Sequence, residues 1–209
     1  MSPISRSLRS VPLVLIAFAA INSVSAQSTT SSLASSPSNH WEMLFSTGAL
    51  VPTGVQRRTL KDAPLSTAQL SYVVASTFVV TTTVGWARSR DLTTDGDPGL
   101  SVFTYDMGFE ARAPQWRSGE AISFTPFAGI GGGGRSFNHR DRDIDATHAL
   151  AGYAAVGGEL GIGRARLRLE ARDNVVDMTP LVGGGARKAR NDVSILLGFR
   201  WVKNTASSE

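Results

Sequence analysis

Residues 164–172 read RARLRLEAR, and the phase of that stretch decides the fold. Ala165, Leu167, Leu169 and Ala171 alternate with Arg164, Arg166, Arg168, Glu170 and Arg172. A period of two residues puts the aliphatic side chains on one face of a strand and the charges on the other. The same period recurs along the chain. Trp41, Met43, Phe45, Thr47 and Ala49 alternate with Glu42, Leu44, Ser46 and Gly48. Phe78, Val80, Thr82, Val84 and Trp86 form another such row, as do Phe103, Tyr105, Met107, Phe109 and Ala111. Val193, Ile195, Leu197, Phe199 and Trp201 close the chain, alternating with Ser194, Leu196, Gly198 and Arg200.

With three weaker segments the pattern predicts eight strands, at 41–50, 67–75, 78–90, 100–113, 122–137, 148–161, 165–177 and 190–201. Each is about 9–11 residues or longer, the length of a tilted strand that crosses a bilayer. The connectors alternate: 51–66, 91–99, 138–147 and 178–189 are long and polar, whereas 76–77, 114–121 and 162–164 are shorter. An even strand number with alternating long and short connections is the plan of an outer-membrane barrel, with both termini on the periplasmic side.

Composition narrows the alternatives. The chain has 209 residues and no Cys, so disulfides, thiolate metal sites, a Cys nucleophile and a lipoprotein anchor are excluded. Beyond the N-terminal segment no run of 18 apolar residues exists to make a membrane helix. With 21 Gly and only 18% charged residues, the chain does not suit a coiled coil or an acidic disordered protein. Arg6 and Arg9, an apolar core from Val11 to Ile21 and the small residues Val24-Ser25-Ala26 predict an export signal over 1–26. Residues 27–39, rich in Ser and Thr, read as a flexible leader before a barrel over 40–203 and a tail over 204–209. Without the first 26 residues 19 basic and 17 acidic residues remain, so the charge does not point to nucleic acid.

Strand periodicity is compatible with a soluble barrel that turns its apolar face inward. Three features favour the inverse. Aromatic residues cluster at strand ends, with Trp41, Phe78, Trp116 and Trp201 at one end and Trp86 and Phe103 near the other. The chain opens on an export signal, and its last strand ends on an aromatic residue. On these residues, and above all on the closing hairpin LRLEARDNVVDMTPLVGGGARKARNDVSILLGFRW (167–201), the chain resembles the small outer-membrane β-barrels of the OmpA/OmpX-like superfamily over about 41–202. The resemblance implies an all-β fold, an eight-stranded antiparallel transmembrane β-barrel with short periplasmic turns and longer outer loops. It implies outer-membrane lipid and the barrel-assembly machinery as partners, a monomer and no cofactor. Relatives often end on the aromatic residue itself, whereas here VKNTASSE follows Trp201.

On the barrel reading Glu42, Asp106, Glu110, Arg112, Glu159, Arg166, Arg168, Glu170, Arg172 and Arg200 point into the lumen, five acids against five bases. An eight-stranded barrel is just wide enough for side chains to fill, and balanced charges there pair. The alternative is a narrow pore for ions or small solutes. Of the remaining bases, Arg57, Arg58, Lys61, Arg88, Arg90, Arg135, Arg140, Arg142, Arg187, Lys188 and Arg190 fall on the outer loops and strand tops. Arg forks bind phosphate, which predicts contact with lipopolysaccharide; the alternative is ordinary solvated loop charge.

Other motifs carry little chemistry. Asp141, Asp143 and Asp145 resemble the opening of a calcium loop, but Ala146 and Gly152 stand where that loop needs Gly and Glu, so no metal is expected. The run Gly129–Gly134, broken by Ile130, lacks the ending of a phosphate loop and reads as bending or close packing. Lipid A deacylases of this architecture use a His and a Ser two residues apart. None of His40, His139 and His148 fits that pattern, and a catalytic group built on His139 or His148 with Ser136 is the weakest alternative. The sequence thus predicts a non-enzymatic barrel acting in envelope integrity or surface contact.

Overall fold

The computed structural model describes residues 39–118, 122–162, 165–181 and 186–201. The expected export segment, most of the leader, the Gly183–Gly185 loop apex and the tail lie outside these residues. The strands are β1 (His40–Pro52), β2 (Ala63–Ala75), β3 (Phe78–Arg90), β4 (Gly99–Arg112), a three-residue β5 (Trp116–Ser118), β6 (Ile122–His139), β7 (Thr147–Ile162), β8 (Ala165–Met178) and β9 (Lys188–Trp201). Each long strand is antiparallel to its neighbours, and β1 pairs with β9, so the eight long strands close on themselves. β5 folds the connector before β6 into a small hairpin against Ile122–Phe124. Closure pairs each long strand on both sides over most of its length, and β1 meets β9 from Phe45 to Pro52, which suits hydrocarbon because it leaves little open sheet edge.

The register sets the barrel's shape. From Trp41 the paired residues run Tyr72, Val80, Phe109, Ile130, Ala154, Asp173 and Val193, and return to β1 at Val51. One circuit therefore advances ten residues along β1, from 41 to 51. With about 3.3 Å per residue and about 4.8 Å between strands, that shear over eight strands tilts the strands by about 41° and gives a radius of about 8 Å. Such a lumen holds side chains and little else.

The predicted strands are present but longer at the end that carries the long loops. β2 starts at Ala63 rather than 67, and β6 reaches His139 rather than 137. The loop after β1 contains a 3₁₀ turn, Gly54–Arg58, and Leu60, two residues beyond it, bridges to Asp91 after β3. The exterior is apolar: Met43, Phe45, Met107, Ile130, Leu169 and Ile195 are each more than half exposed. Aromatic pairs mark the end with the short turns, where Trp41 lies 4.9 Å from Tyr72, Phe78 5.7 Å from Phe109, and Trp116 5.8 Å from Phe124. At the loop end Trp86 and Phe103 are register partners, both outward.

Candidate functional site

The ten charged residues predicted for the lumen all point inward, and they form one linear chain of alternating sign. Its order is Arg166, Glu159, Arg200, Glu42, Arg112, Glu110, Arg168, Glu170, Arg172, Asp106. In the middle, Glu110 accepts from Arg112 Nε at 2.8 Å and from Arg168 Nη2 at 2.5 Å. Glu170 accepts from Arg168 and Arg172, and Arg200 bridges Glu42 and Glu159. The loose end is Arg166, 3.9 Å from Glu159. Members on one strand are two residues apart, the spacing that keeps them on one face; Arg166–Glu159, Glu159–Arg200 and Arg200–Glu42 link nearby strands from β7 through β9 to β1, and Glu42–Arg112, Glu110–Arg168 and Asp106–Arg172 span the lumen. Arg168 also lies over the Phe127 ring at 3.5 Å, and Arg172 over Tyr153 at 4.2 Å. Flat guanidinium groups can stack and fork at once, which suits a core of this width.

The Tyr153 ring explains part of the glycine run. A Cβ on Gly131 would come within 2.5 Å of this ring, and one on Gly108 within 2.2 Å of its hydroxyl. The run therefore seats an aromatic side chain inside the lumen, in keeping with close packing.

Two bases depart from expectation. Arg135 was expected among the strand-top bases near the outer surface. It lies inside, 2.5 Å from the buried carboxylate of Asp192, which also accepts from Asn174 Nδ2 at 3.0 Å. Arg190 was a candidate for lipopolysaccharide contact. It faces the barrel mouth and donates to Thr59 Oγ1. Both follow from parity: Arg135 is in phase with inward Phe127 and Phe137, and Arg190 and Asp192 are in phase with inward Ser194 and Arg200.

The loop end of the lumen is not charged throughout. Leu50, Leu60, Leu65, Leu100, Val102, Phe137, Val176 and Met178 pack there into a buried apolar cluster, with Leu60 carried in by the first long loop. Beside Asp106, Arg135 and Arg172 lies a cavity of about 10 Å³, the size of one water.

Above the cluster the long loops are tied together. His139, expected to be exposed loop surface, is buried and meets Asp91 through Nε2 at 3.1 Å. Asp91 also accepts from Thr93 and Thr94. Burial pushes the Asp91 carboxyl up, but these hydrogen bonds outweigh it and hold the group below its ordinary range. Ser136 donates to Asn138 Oδ1 at 3.0 Å and is the register partner of His148, which is exposed.

The remaining candidates lie on the rim. Arg57 and Arg58 are exposed in the 3₁₀ turn. Arg140 and Arg142 are exposed, with Arg142 donating to the Asp95 carbonyl at 2.5 Å. Arg187 is 3.9 Å from Asp177, and Lys188 is exposed. Arg88 and Arg90 point outward at the end of β3, with the Arg88 guanidinium 4.5 Å from the Trp86 ring. Among the described residues no group of acids and His could hold a metal ion.

The chain superposes on the crystal structure of Neisserial surface protein A with a TM-score of 0.53 at 8% identity, over 77% of this chain and 96% of that one. Outer membrane protein AlkL, solved in lipid bilayers, aligns at 17% identity over 84% of this chain and 96% of its own, with a TM-score of 0.47. Ail, the attachment invasion locus protein of Yersinia pestis, aligns at 10% identity over 78% and 99%, with a TM-score of 0.41. No family model and no curated protein sequence matches the chain. The chain shares its closed eight-stranded antiparallel barrel fold with Neisserial surface protein A.

Proposed function

We propose that the protein is a non-enzymatic, non-conducting outer-membrane barrel that contributes to envelope integrity by binding lipopolysaccharide phosphates at its outer rim. The observation that carries this reading is the stack on the outward face of β3 and β4. Trp86 and Phe103 lie in register in the apolar belt, and Arg88 and Arg90 follow on the same face, with Arg88 packed on Trp86. An aromatic pair at the hydrocarbon boundary with two guanidinium groups directly beyond it matches a lipid whose chains lie below and whose phosphates lie above. The cation–π contact holds the Arg88 fork at that height. A lumen filled by paired charges and sealed by an apolar cluster supports a role at the surface rather than in conduction.

The test is lipopolysaccharide binding by the full chain in detergent, compared with the double variant Arg88→Gln/Arg90→Gln. The variant should bind about tenfold more weakly and lose much of its salt dependence, because the phosphate contacts are rim-exposed. Unchanged affinity at low salt would remove the rim site.

A further inference from the structure

We propose that the lipid-facing wall formed by β7 and β8 binds one saturated chain of an amphiphile whose primary ammonium head pairs with Asp173. This rests on the reading that the apolar exterior faces lipid. Asp173 departs from that exterior. It points outward and is exposed, paired in register with Ala154 and Val193. Val175 on its own strand and Leu150 on the next lie further toward the loop end, and they are 46% and 68% exposed. The carboxylate thus sits within the apolar belt. The Arg residues of β8 point the other way, into the lumen, and among the described residues no cation pairs with Asp173. A carboxylate at such a position is costly without a partner, and that partner has to come from the membrane.

Directly on the turn side of Asp173 the same face holds an apolar groove of about 320 Å³, lined by Phe124, Val156, Gly158, Leu169 and Ala171. Asp173 and Leu169 are four residues apart on this face, roughly 13 Å along the strand, so the carboxylate caps a groove of chain length. Phe124 walls the groove at its turn end by lying over Gly158, where a Cβ would come within 2.4 Å of the ring. Charge complementarity selects the head. A protonated primary amine offers three donors and neutralises the carboxylate, whereas a phosphate or carboxylate head would be repelled.

The probe is dodecylammonium brominated at its terminal carbon, titrated into nanodiscs holding the full chain with Trp41, Trp86 and Trp201 changed to Phe. The remaining Trp116 packs against Phe124, 5.8 Å between ring centroids, at the far end of the groove, where the bromine would quench it. Quenching should saturate. Asp173→Asn should raise the half-saturating concentration about tenfold. Ala171→Phe, which fills the groove and keeps the carboxylate, should abolish saturation, and terminally brominated dodecanol should quench without saturating. Equal saturation by Asp173→Asn, saturation by the alcohol at the same concentration, saturable quenching that survives Ala171→Phe, or no saturation in the parent would each overturn the proposal. Heat-dependent gel mobility confirms that every variant is folded. A barrel that inserts but shows no saturable quenching defeats this site alone, whereas a chain that fails to insert defeats the outer-membrane reading as well.

Discussion

Replacing Glu110 by Gln removes one charge from the middle of the alternating chain while keeping the side-chain volume. Glu110 is held by two guanidinium groups, at 2.8 and 2.5 Å, and its side chain is 4% exposed. Without it Arg112 retains Glu42 and Arg168 retains Glu170, but the chain carries one uncompensated positive charge inside a lumen that water hardly enters. Breaking a buried pair by removing one partner costs about 3–5 kcal/mol. Arg166→Gln is the internal control. That side chain is 24% exposed, its ion contact is 3.9 Å and its one close hydrogen bond is to the neutral Ser123 Oγ, so its loss should cost less, about 1–2 kcal/mol. The order of the chain makes a sharper claim. Removing Arg112 and Glu110 together leaves two neutral runs of four, Arg166-Glu159-Arg200-Glu42 and Arg168-Glu170-Arg172-Asp106. The double variant Glu110→Gln/Arg112→Gln should therefore be more stable than Glu110→Gln alone by about 1 kcal/mol or more. Removing Glu110 with Arg168 leaves one run positive and the other negative and should recover less. The assay is urea unfolding from lipid vesicles, read by tryptophan fluorescence and by mobility of unheated samples. Equal costs for the Glu110 and Arg166 variants, or a double variant that costs the sum of its singles, would refute the reasoning.

Three further outcomes follow from the same geometry. Gly131→Val drives a side chain into the Tyr153 ring and should cost about 1–3 kcal/mol, with partial rescue by Tyr153→Ala, measured by the same unfolding assay. The folded-state Asp91 carboxyl titrates below its ordinary value, so its stabilisation is present above the unfolded value of 3.8 and is lost as pH falls through the folded one. Hydrogen exchange of the Thr93 amide, relative to its intrinsic rate, should therefore accelerate below pH 3.8 in the parent, and already at neutral pH in Asp91→Ala. Planar-bilayer recordings should show no steady conductance for the parent, and Leu60→Ala alone should not open a path, because the charge chain still fills the lumen beneath it.

Much of the architecture was legible because period two is a direct consequence of the strand. Leu167, Leu169 and Ala171 against Arg166, Arg168 and Glu170 put these charges of β8 on one face, and the aromatic residues at the strand ends made that face the inner one. Arg135 was harder to place. It follows Gly131–Gly134, residues without side chains to show which face is which. Counting by twos from Phe127 would have placed it inside, as counting back from Arg200 would have placed Asp192 and Arg190. The apolar cluster at the loop end was hidden for a different reason. Val175 and Val176 on β8 are both apolar, so polarity does not reveal which one faces the lumen. The entry of Leu60 and the burial of His139 depend on how loops fold back over the mouth, which strand periodicity does not encode. Asp173 was in plain view: it interrupts an outward row of Ala and Leu, and its phase alone marks it as a charge on the wrong face.

The inside-out assignment is tested most directly by single cysteines, since the chain has none of its own. Ser194, Ile195, Leu196 and Leu197 on β9 are each changed to Cys, labelled with a small fluorophore and placed in vesicles of brominated lipid. Ile195 and Leu197 are 52% and 49% exposed, whereas Ser194 and Leu196 are buried at 2% and 4%. Strong quenching at 195 and 197 with weak quenching or no labelling at 194 and 196 is the predicted result. The opposite phase, or uniform quenching at all four positions, would contradict a barrel that turns its apolar face to lipid and its charges inward.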